Sequence, residues 1–262
     1  MKILFLGDVT GPAASSKLSK ELWNIRGENG IDFAIVNGEN ASEGNGIDKK
    51  TACSLIDGGA DVITTGNHVW KKYDIYPFLD DCKNIVRPAN YPPDSPGSGY
   101  SVIDCGGVRV LVMNVQGTVY MEPLDDPFTA VERILLREEG NYDISVLDVH
   151  AEATSEKAAI ARYFDGRIDL VCGTHTHVQT ADERILPNGS AFITDVGMCG
   201  PENSILGVRP ELVIRKLKDK MPVRFDFSDG EIVFCGVIAE LEKKNSRFFV
   251  RKIERVRFFP KN

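Results

Sequence analysis

The sequence predicts an α/β protein in which two sheets pack face to face with helices outside, and three observations carry that reading. Apolar, β-branched runs alternate with helical patterns from the first residues onward, as parallel βαβ units require. Hairpin signatures then interrupt the alternation and add strands, enough in number to fill two sheets. No repeat, low-complexity tract or linker divides the chain, so residues 1–262 read as one domain with a mixed core.

The elements follow in order. Residues 2–7 read as a strand leading to a helical pattern near Ser16–Arg26, then a strand over 32–37, a helix over 48–57 and a strand over 61–65. A short helix near Ile75–Asp81 and the strand residues Ile85-Val86 precede YPPDSPGSG, whose Pro and Gly content marks a loop. YSVIDC and VRVLVMNVQ, joined by Gly106-Gly107, form a hairpin. A helix near Thr129–Glu138 precedes a strand over 143–149, and a helix over Ser155–Phe164 precedes a strand over 168–172. ERILPNGSAFITDVG reads as a second hairpin, with Asn188-Gly189 supplying a type I′ turn. After a helix at Pro210–Lys218 the tail alternates as the strands VRFDF, EIVFCGVIAELE and FFVRKIERVRFF.

Charge narrows the partners. A net charge of −7 argues against long nucleic acid, because duplex binding relies on many phosphate contacts from Lys and Arg, but it is compatible with a small anionic substrate held by metals. The six cysteines are scattered, with no CxxC, and several fall in apolar strand patterns, which suits a reduced cytoplasmic protein. MKILFLGDV is too short an apolar run for a signal peptide and is interrupted by Gly7-Asp8; no stretch is long enough to span a membrane. Apolar strand edges in the tail could pair between subunits, which leaves a homo-oligomer open.

The chemistry lies at strand ends. All four histidines (His68, His150, His175 and His177) sit where a strand pattern runs out into a loop, and two further strands end on Asp8 and on Glu39-Asn40. Taken singly, each has a plain structural reading: Asp8 as a turn or cap, Gly38-Glu39-Asn40 as a turn, Asn67-His68 as a cap. Their joint occurrence at successive strand ends points instead to a metal centre, where such groups gather in α/β enzymes. His175 and His177, two apart, face the same way if the chain is extended there. Imidazoles mixed with carboxylate and amide oxygens favour Fe, Mn or Zn over Mg or Ca. Two divalent ions and a hydroxide set against Asp8 and Glu39 leave about one positive charge, matching a phosphodiester monoanion. SEGNGID lacks the Lys and Ser/Thr of a phosphate loop and reads as an active-site rim or turn. Trp70 and Tyr73 read as packing residues.

Taken in order, GD at 7–8, GEN at 38–40, GNH at 66–68, His150 and GTHTH at 173–177 resemble the calcineurin-like metallophosphoesterases. Two departures, Thr10 in place of the first-motif His and Glu39-Asn40 in place of the bridging Asp, are similar to the YmdB family of bacterial phosphodiesterases, and the likeness spans nearly the whole chain. The resemblance implies a four-layer α/β/β/α sandwich with two transition-metal ions, Fe or Mn before Zn. It implies one metal on Asp8, Glu39, Asn40 and His177, and the other on Glu39, Asn67, His150 and His175, with Glu39 bridging. His68 then faces the scissile phosphate as general acid while a metal-bound hydroxide attacks; Thr10 is not a ligand. Cyclic nucleotides are the implied substrates, 2′,3′-cyclic and also 3′,5′-cyclic monophosphates. The alternatives are a phosphomonoesterase or protein phosphatase, a nuclease, or a non-catalytic nucleotide sensor.

Overall fold

Strand residues that alternate in the sequence face opposite layers in the computed structural model, which describes residues 1–245 and 247–260. The first half runs β1 (Lys2–Leu6), β2 (Asp8–Val9), α1 (Pro12–Asn29), β3 (Phe33–Asn37), α2 (Lys49–Asp57), β4 (Val62–Thr64), α3 (Ile75–Asp81) and β5 (Ile85–Val86). Then come β6 (Tyr100–Cys105), β7 (Val108–Gln116), α4 (Pro127–Arg137), β8 (Ile144–His150), α5 (Thr154–Tyr163) and β9 (Leu170–Thr174). The rest comprises β10 (Arg184–Ile185), β11 (Ala191–Ile193), β12 (Met198–Pro201), α6 (Pro210–Asp219), β13 (Ile232–Lys244) and β14 (Arg247–Phe258).

Two mixed sheets result. The first has the order β2-β12-β13-β1-β3-β4-β5, with β14 also paired to β13; the second has the order β10-β11-β9-β8-β7-β6. Ile3 and Phe5 of β1, with Phe33 and Ile35 of β3, meet Val110, Val112, Val146 and Leu170 of the second sheet in a core between the sheets. Leu4, Leu6 and Val36, on the opposite face, pack under Leu18, Leu22, Leu55 and Leu79 of α1 to α3. Leu111, Met113, Leu147 and Val149 of the second sheet pack under Val131, Ile134, Ile160 and Phe164. The layers are therefore helix, sheet, sheet, helix, as expected. Each fully buried Leu, Ile or Phe adds about 1.5–3 kcal/mol to the stability of this arrangement.

Local chemistry sets the boundaries, and in places shifts them from the expected ones. Helix α1 begins at Pro12 rather than near Ser16, because a proline at the first helical position needs no hydrogen-bond partner for its nitrogen; it ends at left-handed Gly30. Gly106 and Gly107 both have positive φ (62° and 86°), the type I′ geometry that a two-residue hairpin favours. The second hairpin forms with a different turn. Leu186 O accepts from Gly189 N, Pro187 and Asn188 occupy the centre, and Gly189 has φ 106° while Asn188 is not left-handed. Proline fixes its own φ near about −65°, so a type I turn followed by a left-handed glycine replaces the type I′ turn. VRFDF at 223–227 is not a strand: only Phe227 bridges, to Val208, because no longer strand lies beside it. Strands β2 and β12 pair in parallel through Asp8–Met198 and Val9–Cys199, and both are too short to leave a periodic signal.

Parallel strands β1, β3 and β4 of one sheet and β8 and β9 of the other end at the same edge of the sandwich. That edge carries the polar cluster described next.

Candidate metal centre

Asp8 lies just beyond β1, Glu39 and Asn40 two and three residues past β3, Asn67 and His68 past β4; His150 ends β8, and His175 and His177 follow β9. These eight residues, drawn from both sheets, come together; Glu39, Asn40, His68, His175 and His177 line a cavity of about 310 Å³ with Thr10, Asn45, Glu152, Thr176, Leu206, Val208 and Phe227, while Asp8, Asn67 and His150 contact them. Asp8, Glu39 and His150 are buried beneath it.

The two oxygens of Glu39 face different neighbours. Oε1 accepts from Asn40 Nδ2 at 2.8 Å and lies 3.1 Å from His68 Nδ1; Oε2 accepts from the His68 backbone N at 3.1 Å and lies 3.2 Å from His150 Nε2. Around His150 Nε2 three acceptor atoms crowd: Asn67 Oδ1 at 3.0 Å, His175 Nδ1 at 3.1 Å and Glu39 Oε2.

Hydrogen bonds on the far side of each ring say which nitrogen keeps its proton. His150 Nδ1–H donates to Thr174 Oγ1 at 2.9 Å, and that hydroxyl donates to Asp148 Oδ1 at 2.7 Å. Asp148 is itself held by Asn37 and Thr64. His175 Nε2–H faces Glu152 Oε2 at 3.1 Å, leaving Nδ1 as a lone pair. His177 Nδ1–H donates to Leu206 O at 3.2 Å and turns Nε2 toward Asp8. This pattern of an outer acceptor fixing a ring so that its other nitrogen points inward is the one metal-ligating histidines show.

Titration behaviour follows from the same contacts. Burial opposes charge on His150, but the Glu39 charge and hydrogen bond, with Asp8 and Asp148 behind, raise it to about 9. Burial likewise works against the Glu39 carboxylate, yet His150 and His68 hold it well below its ordinary range. Burial and then the neighbouring His150 push His175 down to about 3, so it stays neutral. Asp8 is raised by burial, with His177 and His150 opposing.

The donor set fits a metal. Glu39, His150 and His175 bring one ligand atom each within 4.8 Å of one another. Asp8 Oδ1 is buried with no hydrogen-bond partner, 3.8 Å from His177 Nε2. Buried lone pairs pointing at one another repel unless a cation or a shared proton lies among them. Asn40 differs from the others: its Oδ1 lies 2.9 Å from His68 Nδ1 and its amide nitrogen faces Glu39 and His177. Ligation through Oδ1 requires a half-turn of that amide. Thr10 lines the cavity, with its hydroxyl donating to Asp8 O at 3.0 Å.

The path to convergence differs from the extended one expected after β9. His175 and His177 have φ of 94° and 63°, so the strand has already broken into a left-handed loop. Asp195 holds that loop: Oδ2 accepts from Thr176 N and Oγ1 at 3.1 and 2.6 Å and from the buried Lys157 Nζ at 2.7 Å. Sequence reasoning missed Asp195, Lys157 and Glu152. Signals existed: Lys157 stands in the apolar stripe of α5 with Ile160, Ala161 and Phe164, and Glu152 follows His150 by two residues. The GNG of SEGNGID forms a rim in which Gly44, Asn45 and Gly46 all have positive φ. Trp70 packs edge-on against Tyr76 and Tyr91, and Tyr73, though 85% exposed, meets Tyr76 edge-on.

Two packed sheets with polar strand ends converging on one edge define the fold class of the calcineurin-like phosphoesterases. A protein of that description from Bacillus subtilis, YfkN, superposes with a TM-score of 0.59 at 13% identity over 99% of this chain and 90% of its own. A Thermus thermophilus protein described as hypothetical shares the whole fold, with a TM-score of 0.90 at 38% identity and full coverage of both chains. The family model for YmdB-like proteins matches residues 4–256, and the chain belongs to that family. A Bacillus subtilis (strain 168) relative, 2′,3′-cyclic-nucleotide 2′-phosphodiesterase, is 44% identical over 256 residues, covering 98% of this chain and 96% of that protein. The protein is thus an enzyme of the phosphoesterase type. No helix among the described residues is long and apolar enough to cross a membrane.

Proposed function

We propose that the protein is a dinuclear-metal phosphodiesterase that hydrolyses cyclic nucleotides, 2′,3′-cyclic monophosphates first and 3′,5′-cyclic ones also. The observation that carries this reading is the set of ligand atoms from Glu39, His150 and His175 gathered within 4.8 Å of one another beside a cavity of about 310 Å³. Asp8, Glu39, Asn40 and His177 would hold one metal; Glu39, Asn67, His150 and His175 would hold the other. A bridging Glu39 is supported by its two oxygens facing the two groups separately. When bound, two transition-metal ions, Fe or Mn before Zn, supply an activated water and charge to draw in the phosphate.

The chain's own residues do the rest. His68 Nδ1 lies 3.1 Å from Glu39 Oε1 and the ring is partly exposed to the cavity, so Nε2 is the atom left to pass a proton to the departing oxygen. Proton transfer by a positioned side chain contributes about 10²–10⁴-fold to rate. Thr174 and Glu152 hold His150 and His175 in the required tautomers. The likeness to the Bacillus phosphodiesterase supports the choice of substrate class. The six free cysteines suit the reducing cytoplasm that this reading assigns to it.

Hydrolysis of bis(p-nitrophenyl) phosphate by Mn²⁺-reconstituted protein tests the reading, followed by nucleoside 2′,3′- and 3′,5′-cyclic monophosphates. Turnover that needs the metal and is lost in His68→Ala is the expected result. Two tightly bound metals without diester turnover would overturn it.

A further inference from the structure

The cavity lining is of two chemical kinds: Glu39, Asn40, His68, His175 and His177 are polar, and Leu206, Val208 and Phe227 are apolar. The apolar part is built on a turn whose sequence fits its backbone badly. Ile205 N donates to Val208 O at 2.9 Å and Val208 N donates back to Ile205 O at 3.0 Å, closing a two-residue turn. Its central residues, Leu206 and Gly207, have φ of 54° and 90°. Glycine, asparagine and aspartate accept positive φ at such positions with little penalty, and leucine does not.

The backbone role of Leu206 needs no leucine. Its carbonyl accepts from His177 Nδ1, and any residue would present that oxygen. What leucine adds is its side chain, on a residue that is 46% exposed and lines the cavity. Val208 pairs with Phe227 behind it, and the Phe227 ring lies where a side chain on Gly11 would collide with it. A strained residue whose apolar side chain faces a binding cavity is best explained by what that side chain touches.

We propose that Leu206, with Val208 and Phe227, forms the surface on which the substrate's nucleobase rests, making Leu206 a specificity-determining residue. The inference rests on the phosphodiesterase reading and adds to it. With the phosphate drawn to the histidines and carboxylates, the base is the part of a cyclic nucleotide that has flat apolar faces, and Leu206, Val208 and Phe227 are the apolar part of the lining.

Leu206→Gly tests this, because glycine accepts the turn's φ and keeps the carbonyl on His177. The assay compares kcat/KM for a nucleoside 2′,3′-cyclic monophosphate with that for glycerol 1,2-cyclic phosphate, which has no base. The nucleoside substrate should lose about tenfold more than the base-free one, mainly through KM, as removal of an apolar contact from a pocket does. Phe227→Ala should shift the ratio the same way, with Phe227→Leu restoring part of it. An unchanged ratio in Leu206→Gly, whether through equal losses on both substrates or through no loss on either, would mean that no base rests on Leu206 and overturns the proposal alone. Failure of the wild type to hydrolyse either diester would overturn the phosphodiesterase reading and the base wall with it.

Discussion

Gly66 offers the sharpest probe of the proposed metal centre, because its neighbours leave no room for a single added methyl. A Cβ built there would lie 2.6 Å from Glu39 Oε2 and closer still to the Cδ2 and Nε2 of His150. Ordinary contact needs about 3.5 Å, so the carboxylate and the ring must retreat by roughly 1 Å. Both groups are proposed ligands, and His150 is tied behind by Thr174, so neither can move without breaking a hydrogen bond. Gly66 is not among the left-handed glycines, so alanine brings no backbone strain; it would otherwise stabilise the protein by about 0.4–1 kcal/mol through the unfolded chain. Any loss therefore comes from the methyl itself. A displacement of about 1 Å at a reacting centre costs on the order of 10²-fold in rate. The assay is kcat/KM on bis(p-nitrophenyl) phosphate beside metal content by elemental analysis, for Gly66→Ala and wild type, with thermal unfolding to confirm the fold. Gly66→Ala should lose about 10²-fold in activity together with metal. A folded variant with full metal and wild-type turnover would show that Glu39 and His150 do not work from these positions.

Other substitutions separate the roles of the remaining groups. His68→Ala should keep its metals and lose about 10²–10⁴-fold in kcat; equal turnover would remove the acid assignment. Glu39→Ala should lose metal and activity together, and retention of two equivalents by elemental analysis would dismiss the bridge. Thr174→Val keeps the volume but removes the acceptor for His150 Nδ1, so metal affinity measured by calorimetry should fall about 10–100-fold; an unchanged affinity would mean that Thr174 does not orient the ring. Lys157→Met leaves the buried Asp195 without its cation and should cost about 3–5 kcal/mol in urea unfolding. A change below about 1 kcal/mol would show that the pair is dispensable, since surface-like pairs contribute no more than that.

Periodicity made the sandwich legible. Strands β3, β4, β8 and β9 are buried along their whole length because they are covered on both faces, and polar residues that no packing argument requires stand at or just past their ends. The same logic exposed Asp8, Glu39, Asn67, His150, His175 and His177, whose chemistry stands out against the runs before them. Residues in the supporting layer were hidden for a physical reason. Asp195 belongs to a short strand end that reads as hairpin, and Thr174 and Asp148 are polar residues whose role lies in partners 24 or more positions away. Lys157 was readable, since a lysine in an apolar helical stripe must be paired when buried, but its partner was not. Pattern also overreached at 223–227, where apolar alternation matches a strand with no neighbour to pair with; Phe227 is used on the cavity wall instead.

The two departures from the wider superfamily pattern make sense together in the folded chain. A glutamate reaches one methylene further than an aspartate, which lets the Glu39 carboxylate pass Asn40 and meet His68 on one side and His150 on the other. That reach occupies the space a side chain at position 66 would fill, so glycine there is required by Glu39 as much as by the turn. Thr10 sits on the strand beside Asn40, bridged to it through the backbone, and its hydroxyl is satisfied by Asp8 O rather than aimed at the centre. The Thr10 side chain packs where side chains on Gly200 and Gly207 would meet it. Threonine at 10, glutamate at 39, asparagine at 40 and glycine at 66 thus form one interdependent set, and altering any one of them should be felt at the others.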